Sequence, residues 1–296
     1  MDILGQITSY GYQYFDNAAF LALATLGLVL IYGMMGVINM AHGELMMIGA
    51  YVATYSFHAG VPVPIAVLMA GIVAGGAGAL IEILIVRHFY NQLLSSLVVT
   101  WGLSLMASQG MLLLMGPSTL NMPTPLGSFT IGGFTFGTYR MVMVAVAIAL
   151  ILGIWLLFRY TGFGKRAQAT MENDRMAAAL GINTRRIYTS TFAFGSALGG
   201  IAGGMFAMTA AVSPFFGQGY TAVAFITVVL GGSANALGGL LASVGYLSTA
   251  QTLLSNMFNQ YIGYVALFGA AFIALLLMPA GFSAAIERRR QRKMQR

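Results

Sequence analysis

The segment between residues 36 and 45 places three hydrogen-bonding side chains within an apolar region of the chain: Asn39, His42 and Glu44. Apolar runs flank it at 18–38 and 45–57. A charge at the centre of a bilayer costs roughly 3 kcal/mol on insertion scales. Gly36 and Gly43 enclose the polar residues, so we expect a helix break, which is tolerated at membrane depth only inside protein or beside a cavity. The segment therefore predicts a pathway for a polar solute.

His42 and Glu44 also have a structural interpretation. Residues two apart do not share a face of a continuous helix, but a break at Gly43 would let both reach one cavity. Alternatively, Glu44 stands at the start of a half-helix over 45–57, where a carboxylate meets the favourable end of the helix dipole and unpaired N–H groups. Solute contact and helix capping both remain open at this stage.

The composition indicates the fold class. The chain has 296 residues, of which 58% are hydrophobic and 7% charged, whereas soluble domains carry about 25% charged residues. The mean hydropathy is +0.83. We therefore expect an all-α polytopic membrane protein that forms a single transmembrane domain over 1–296. The absence of cysteine excludes disulfides and cysteine-ligated metals, and we expect the chain itself to bind no cofactor and no metal.

The apolar runs predict about eight or nine crossings, because a spanning helix needs about 20 residues. The expected spans are 18–38, 45–57, 63–86, 93–115, 141–158, 187–210, 221–230, 237–256 and 261–278.

A second glycine-rich polar interruption lies at Gly231–Gly239. Paired interrupted segments in two halves of a chain point to a transporter binding site. The pathway candidates in this interruption are Gly232, Ser233 and Asn235. Trp101 is added to them because small polar residues surround it in the sequence. The alternatives are two unrelated glycine contacts between helices and an ordinary lipid contact for Trp101.

Clusters of basic residues orient the chain by the positive-inside rule. They lie at Arg87-His88, in the loop at 160–186 and in the tail at 287–296. We therefore place the loop, the tail and the C-terminus in the cytoplasm, and the uncharged segment at 116–138 outside. Asp2 and Asp16 then put the N-terminus outside.

The 160–186 loop is the one substantial polar segment between crossings. Its pattern predicts one helix over 165–180 that ends at Gly181, with apolar and small residues at three- and four-residue spacing. Such a helix suits a groove on a cytoplasmic partner. A solvated loop helix that merely satisfies the positive-inside rule is the alternative.

Three segments together resemble the permeases of the branched-chain amino-acid (LIV) family of ABC importers. They are Tyr32–Glu44, Gly164–Ile182 and Val229–Gly232, and the similarity runs over nearly the whole chain. Within the family, four segments look most like the urea permease branch: Gly36–Glu44, Arg87–Tyr90, Thr100–Leu105 and Gly217–Tyr220.

The resemblance implies a permease subunit of an ATP-driven importer in the bacterial cytoplasmic (inner) membrane. Implied partners are a second homologous permease (in a heterodimer or a homodimer), two cytoplasmic ATPase subunits and a periplasmic solute-binding protein, with no nucleic acid. The sequence has no Gly-x-x-x-x-Gly-Lys-Ser/Thr phosphate loop. ATP and Mg²⁺ would therefore bind to the ATPase subunits, and this chain would not itself be an enzyme.

The resemblance also assigns the 160–186 loop as the element that couples the permease to the ATPases. The implied coupling residues are Lys165, Arg166, Ala167, Met171, Glu172, Asp174, Arg175, Ala178 and Gly181. Glu82, about one turn before Arg87, is expected to form an interfacial ion pair with a snorkelling side chain, or to contact the ATPase.

The expected solute is small and polar, with urea or a short amide preferred. The mid-membrane region offers no Arg or Lys for a solute carboxylate, which favours a neutral solute. A branched-chain or hydrophobic amino acid is the alternative within the family. A passive urea-type channel is a more distant alternative, and an intramembrane enzyme is disfavoured because no Ser/His dyad or Asp pair with helical spacing occurs.

Overall fold

The chain folds almost entirely into helices. A computed structural model describes residues 3–90, 92–118, 121–131, 133–232, 235–285 and 287. The helices are α1 (Ile3–Met35), α2 (His42–His58), α3 (Val63–Leu84), α4 (Leu93–Met115), α5 (Thr138–Tyr160), α6 (Gly162–Glu172), α7 (Asp174–Ala179), α8 (Thr184–Phe206), α9 (Phe216–Gly231), α10 (Ala236–Met257) and α11 (Gln260–Leu277). A short 3₁₀ helix covers Val86–Phe89, and two strands are β1 (Ser128–Ile131) and β2 (Phe134–Gly137).

The apolar helices confirm the all-α polytopic class. Within the described residues, 6 helices are long and apolar enough to cross a membrane, and the shorter α9 is also apolar. Helices α2 and α8 also lie where spans were expected. Helix α2 is shorter than the 6 spans, and α8 is less apolar than they are. The prediction of eight or nine crossings therefore stays a prediction.

Two boundaries differ from expectation. Helix α1 begins at Ile3 instead of Ala18, because its polar first turns are held by tertiary hydrogen bonds that the hydropathy pattern does not show. It ends at Met35 instead of Ile38, where Gly36 takes φ 59°. The predicted external loop at 116–138 contains the antiparallel hairpin β1–β2, in which Ile131 pairs with Phe134.

The chain divides into two compact units: residues 1–23, 124–151 and 226–296 form the first, and residues 24–123 and 152–225 form the second. The expectation of a single transmembrane domain stays untested.

Polar contacts hold the first unit together around the N-terminal half of α1. Asp16 forms an ion pair with Arg140 at the start of α5. Asn17 donates to the hydroxyl of Thr252 on α10 at 2.9 Å. The phenol of Tyr12 bonds to both backbone groups of Gly137 at 2.9 Å, which fixes the end of β2. The N-terminal half of α1 is therefore part of the folded unit.

Glycine contacts between backbones hold the second unit together. A Cβ at Gly27 of α1 would fall on the carbonyl oxygen of Gly195 on α8, and one at Gly49 of α2 would fall on Gly200. Small residues let membrane helices approach closely and gain dispersion energy where lipid offers no hydrophobic driving force. The second unit thus packs α1, α2 and α8 at backbone contact, and this fixes the interruption between α1 and α2.

Candidate functional site

The first interruption occupies the residues between Met35 and His42, outside any helix. Its freed backbone groups are satisfied from the side of α4. The hydroxyl of Thr100 accepts from the N–H of Met40 at 3.0 Å and lies 3.2 Å from the carbonyl oxygen of Ile38. The amide oxygen of Asn39 accepts from the N–H of Ala41 at 3.1 Å. The interruption is therefore a defined, hydrogen-bonded segment.

Helix α2 begins at His42, so Gly43 lies in its first turn and does not break the helix. The expectation of a break at Gly43 is wrong, because the helix stops earlier, at Gly36. Gly43 instead permits contact with α9: its N–H donates to Thr221 Oγ1 at 3.1 Å, and a Cβ there would fall on the carbonyl oxygen of Gly217.

His42 and Glu44 are directed to different neighbours. His42 is completely buried, and its Nε2 lies 3.0 Å from the carbonyl oxygen of Ala24 on α1. That geometry requires a proton on Nε2. Glu44 Oε1 accepts from the hydroxyl of Ser104 on α4 at 2.7 Å. The idea that both side chains reach one cavity is therefore wrong in this conformation.

Glu44 also does not cap α2 with its carboxylate. The first N–H groups of α2 instead donate to the carbonyl oxygens of Asn39 and Ala41 and to the hydroxyl of Thr221. A carboxylate in the first turn is still favoured by the helix dipole. Its second oxygen, Oε2, is buried with no hydrogen-bond partner, and so are Asn39 Nδ2 and His42 Nδ1. Of these three atoms, Oε2 is the one that belongs to a carboxylate.

Helix α4 presents a row of hydroxyl groups to the protein. Its buried residues are Ser96, Thr100, Ser104 and Ser108. Their four-residue spacing places them on one face, and this spacing can be read from the sequence. The row ends where Gln218 of α9 donates to Ser108 Oγ at 3.4 Å. Trp101 itself is 55% exposed and points away from this row.

The second interruption separates α9 from α10. Gly232 adopts φ 77°, and Asn235 caps α10 by accepting from the N–H of Gly238 at 3.0 Å. A Cβ at Gly239 would fall on the carbonyl oxygen of Gly231. Asn235 is exposed, and Ser233 lies outside the described residues. Within the described residues, the hydrogen bond of the Asn235 side chain is to its own helix.

The 160–186 loop forms two helices where one was predicted. Asn173 is extended (φ −159°, ψ 103°), and its side chain accepts from the N–H of Met176 at 2.9 Å to start α7. A side chain that caps a new helix competes with continuation of the old one. The predicted end at Gly181 is confirmed: Gly181 has φ 85°, and the N–H groups of Gly181 and Ile182 bond to Ala178 and Ala177.

Most of the implied coupling residues are exposed on this loop: Lys165, Arg166, Met171, Glu172, Asp174, Arg175, Ala178 and Gly181. Ala167 is the exception, because it is completely buried in an apolar cluster with residues of α1 and α8. A direct contact of Ala167 with a partner is therefore wrong for this conformation. Two further apolar side chains, Met176 and Leu180, are 59% and 76% exposed.

Glu82 is not an interfacial snorkelling residue. It does pair with Arg87, at 3.3 Å, but the carboxylate is only 1% exposed. It also accepts hydrogen bonds from Tyr90 and Thr189. A carboxylate enclosed in this way does not reach the surface, so direct contact with an ATPase is wrong as well.

Comparison with known proteins identifies similar chains. A family model described as "Branched-chain amino acid transport system / permease component" matches residues 13–278. The branched-chain amino acid permease protein LivH of Salmonella typhimurium is 30% identical over 277 residues, which cover 88% of this chain and 90% of the relative. BraD of Pseudomonas aeruginosa is 29% identical over 278 residues, with the same coverage.

The similarity extends to permeases named for other solutes. The galactofuranose transporter permease protein YtfT of Escherichia coli is 30% identical over 192 residues, which cover 64% of this chain and 53% of the relative. No solved structure matches the chain. None of these three relatives is named for urea.

Proposed function

We propose that the chain is the membrane subunit of an ATP-driven importer for a branched-chain or hydrophobic amino acid. It belongs to the family of branched-chain amino-acid transport permease components, and it is a multi-pass inner-membrane permease and not itself an enzyme. It receives the solute from a periplasmic binding protein and pairs with a second homologous permease. Two cytoplasmic ATPase subunits supply the energy.

The observation that carries this proposal is the uncovered surface of α6 and α7. Met171, Met176 and Leu180 are exposed there beside charged side chains. Apolar residues ringed by charge are typical of a protein interface. A passive channel has no need of such a surface, whereas a permease driven by separate ATPases requires a place where they dock.

We place the loop on the cytoplasmic side, and the C-terminus with it, on the basis of the positive-inside rule. Arg159, Lys165, Arg166 and Arg175 all lie at or within this loop, next to the apolar helix α5. The tail at 288–296 lies outside the described residues.

The solute pathway in this proposal runs beside the first interruption. The polar groups available on this side are Asn39, His42, Glu44 and the hydroxyl row of α4. The unpartnered Oε2 of Glu44 is suited to a solute ammonium or amide N–H. Gly232, Ser233, Asn235 and Trp101 remain candidate pathway residues. Asn235 and Trp101 are exposed, and Ser233 lies outside the described residues.

Charge reversal on the loop tests the ATP-driven mechanism. Arg175 and Arg185 are exposed, so the double variant Arg175→Glu/Arg185→Glu should fold normally. In a complex reconstituted with its ATPases and binding protein, we expect it to lose ATP-dependent uptake, whereas Arg175→Lys/Arg185→Lys retains it. Uptake by the wild-type chain without any ATPase would overturn the proposal in favour of a channel.

Urea is the second candidate solute. The observation that favours it is the lack of a cation at the pathway: among the described residues, no Arg or Lys hydrogen-bonds to Asn39, His42 or Glu44. A zwitterionic amino acid needs a partner for its carboxylate, whereas urea does not. Uptake of labelled leucine and of labelled urea by the complex with its cognate binding protein decides between them: stimulation by leucine alone excludes urea, and stimulation by urea alone excludes the amino acid.

A further inference from the structure

The buried carboxylate of Glu82, in the last turn of α3, joins three segments of the second unit. Its Oε1 accepts from the phenol of Tyr90. Its Oε2 accepts from the hydroxyl of Thr189, on α8, at 2.6 Å and from the guanidinium of Arg87 at 3.3 Å. Arg87 also donates to Thr189 Oγ1 at 3.4 Å. One carboxylate thus connects the end of α3, the 3₁₀ segment after it and the start of α8.

The donors around Glu82 are well suited to a permanent contact. Tyr90 packs against Tyr188, with ring centroids 5.0 Å apart. Burial and the neighbouring Glu82 carboxylate raise the pKa of Tyr90, so its phenol stays protonated and donates. The Arg87 side chain is 32% exposed, which leaves Glu82 as the enclosed member of the pair.

The point of attachment on α8 lies close to the 160–186 loop. Helix α8 begins at Thr184, two residues after Ile182, so Thr189 stands little more than one turn into the helix that leaves the loop. Asn183 caps this helix by accepting from the N–H of Arg186 at 3.1 Å. The short segment 180–183 therefore joins α7 to the part of α8 that Glu82 holds.

The same region touches the first interruption. A buried cluster brings Ala167 of α6 together with Met35 at the end of α1, Val37 in the interruption and Ile187 on α8. Ile182 packs against this cluster from the loop. The loop, the start of α8 and the interruption are thus neighbours in one packed body, and Glu82 fastens that body to α3.

Stability alone does not explain a carboxylate in this position. Removing a charge from water costs several kcal/mol, and an ion pair in the interior often returns no more than an apolar replacement would. Polar groups in the interior are better accounted for where they fix one arrangement of two elements. The elements fixed here are α3 and the loop end of α8.

We propose that Glu82 is a positioning residue for the coupling of ATP hydrolysis to transport. It locks the first turns of α8 to α3, so that movement imposed on the 160–186 loop is transmitted to the α1–α2 interruption and is not lost in local rotation of α8. This role rests on the ATP-driven function proposed above.

The test compares solute transported per ATP hydrolysed in the reconstituted complex. Thr189→Val removes the donor to Glu82 but keeps the side-chain shape, and Tyr90→Phe removes the second donor. We expect each variant to assemble and to keep its basal ATPase rate within about twofold. Transport per ATP should fall at least about fivefold, which is the smallest change that a typical coupling free energy between two sites produces.

Thr249→Val is the matched control. Thr249 is exposed on α10 and donates to the carbonyl oxygen of Gly245 four residues earlier, at 2.8 Å. Thr189 Oγ1 lies at a similar 3.0 Å from the carbonyl oxygen of Arg185, but its hydrogen is directed to Glu82. Thr249→Val should leave the transport ratio unchanged. Thr189→Ser, which restores the hydroxyl, should recover most of the coupling lost in Thr189→Val.

Glu82→Gln completes the test, because it keeps an accepting oxygen but loses the ion pair. If it fails to assemble, Thr189→Val and Tyr90→Phe still decide the question. An unchanged transport ratio in both of those variants would overturn the role of Glu82 while leaving the importer function standing. Absence of ATP-dependent transport by the wild-type complex would instead refute the function on which the role rests.

Discussion

The two interruptions of apolar helices share a backbone contact and differ in their side chains. At each one a glycine lies against another backbone: Gly43 against Gly217 in the first, and Gly239 against Gly231 in the second. At the first interruption, His42 and Glu44 are buried and bonded to neighbouring helices. Asn235 in the second is exposed and caps its own helix. Two glycine-rich polar segments of similar sequence therefore form one site that is hydrogen-bonded to neighbouring helices and one local turn.

The difference explains which interruption is suited to a solute. A buried carboxylate oxygen without a partner, such as Oε2 of Glu44, is costly unless something binds it. The described part of the second interruption contains no comparable unpartnered charge. In our proposal the first interruption is therefore the better candidate for the pathway, and the contact between Gly231 and Gly239 in the second serves packing.

The largest expected effect tests what the interruptions share. Gly43→Ala and Gly239→Ala each force a methyl group onto a backbone carbonyl that has no room to move. We expect both variants to yield little folded permease in membranes. Overpacking costs about 1–3 kcal/mol where side chains can adjust and occasionally more, and the obstacle here is main chain, so we expect a cost above that range. The measurement is the amount of monodisperse protein recovered in detergent.

Gly153→Ala is the control for these two variants. Gly153 lies within α5 with nothing within 4 Å of a Cβ, and alanine is favoured over glycine in helices by about 1 kcal/mol. Recovery at or above the wild-type level is expected. Normal recovery of Gly43→Ala would show that α2 and α9 are not in backbone contact.

The next effect in size tests how the interruptions differ. His42→Ala empties a completely buried site and removes the bond to Ala24, which should cost on the order of 2–5 kcal/mol, as for other large-to-small buried substitutions. Asn235→Ala removes one cap, which costs about 1 kcal/mol. Thermal unfolding of the purified protein in detergent should therefore show a clearly larger fall in Tm for His42→Ala.

Equal losses in the two variants would contradict the comparison, because they would mean that Asn235 is as deeply engaged as His42. Asn235→Asp provides the matched control: aspartate is also a strong cap, so its Tm should remain close to that of the wild type.

The sequence predicted the helices well because hydropathy and length are local properties. The expected spans at 63–86 and 93–115 correspond to α3 and α4 within two residues at each end. The division of the loop at Asn173 was missed, although an asparagine three residues before Met176 is a readable capping signal. The tertiary partners of Gly43 could not be predicted, since nothing local relates it to Gly217 and Thr221.

The candidate site shows the same limit. The polar residues of the first interruption could be identified because polar groups are rare in apolar spans. Their partners could not, with one exception: the four-residue spacing of hydroxyls on α4 indicates a single polar face. For Glu82 the sequence predicted the pair with Arg87 and missed Thr189, which lies on another helix more than a hundred residues away.

The smallest expected effect on stability concerns Glu44, and it carries the most information about function. Glu44→Gln keeps an oxygen that accepts from Ser104 at the same position, so the free energy of unfolding should change by less than about 1 kcal/mol, the net value of one hydrogen bond. Ser104→Ala removes that hydrogen bond and only one further atom, and it should lower the Tm at least as much as Glu44→Gln does.

Transport should separate these two variants in the opposite order. If the unpartnered Oε2 serves the solute, Glu44→Gln lowers uptake several-fold although it is the more stable variant, because an amide N–H now faces the solute where a carboxylate oxygen stood. Ser104→Ala leaves that oxygen in place and should retain most of the uptake. Uptake that instead follows the Tm of the two variants would make Glu44 a structural residue, and the first interruption would then resemble the second in function as well as in sequence.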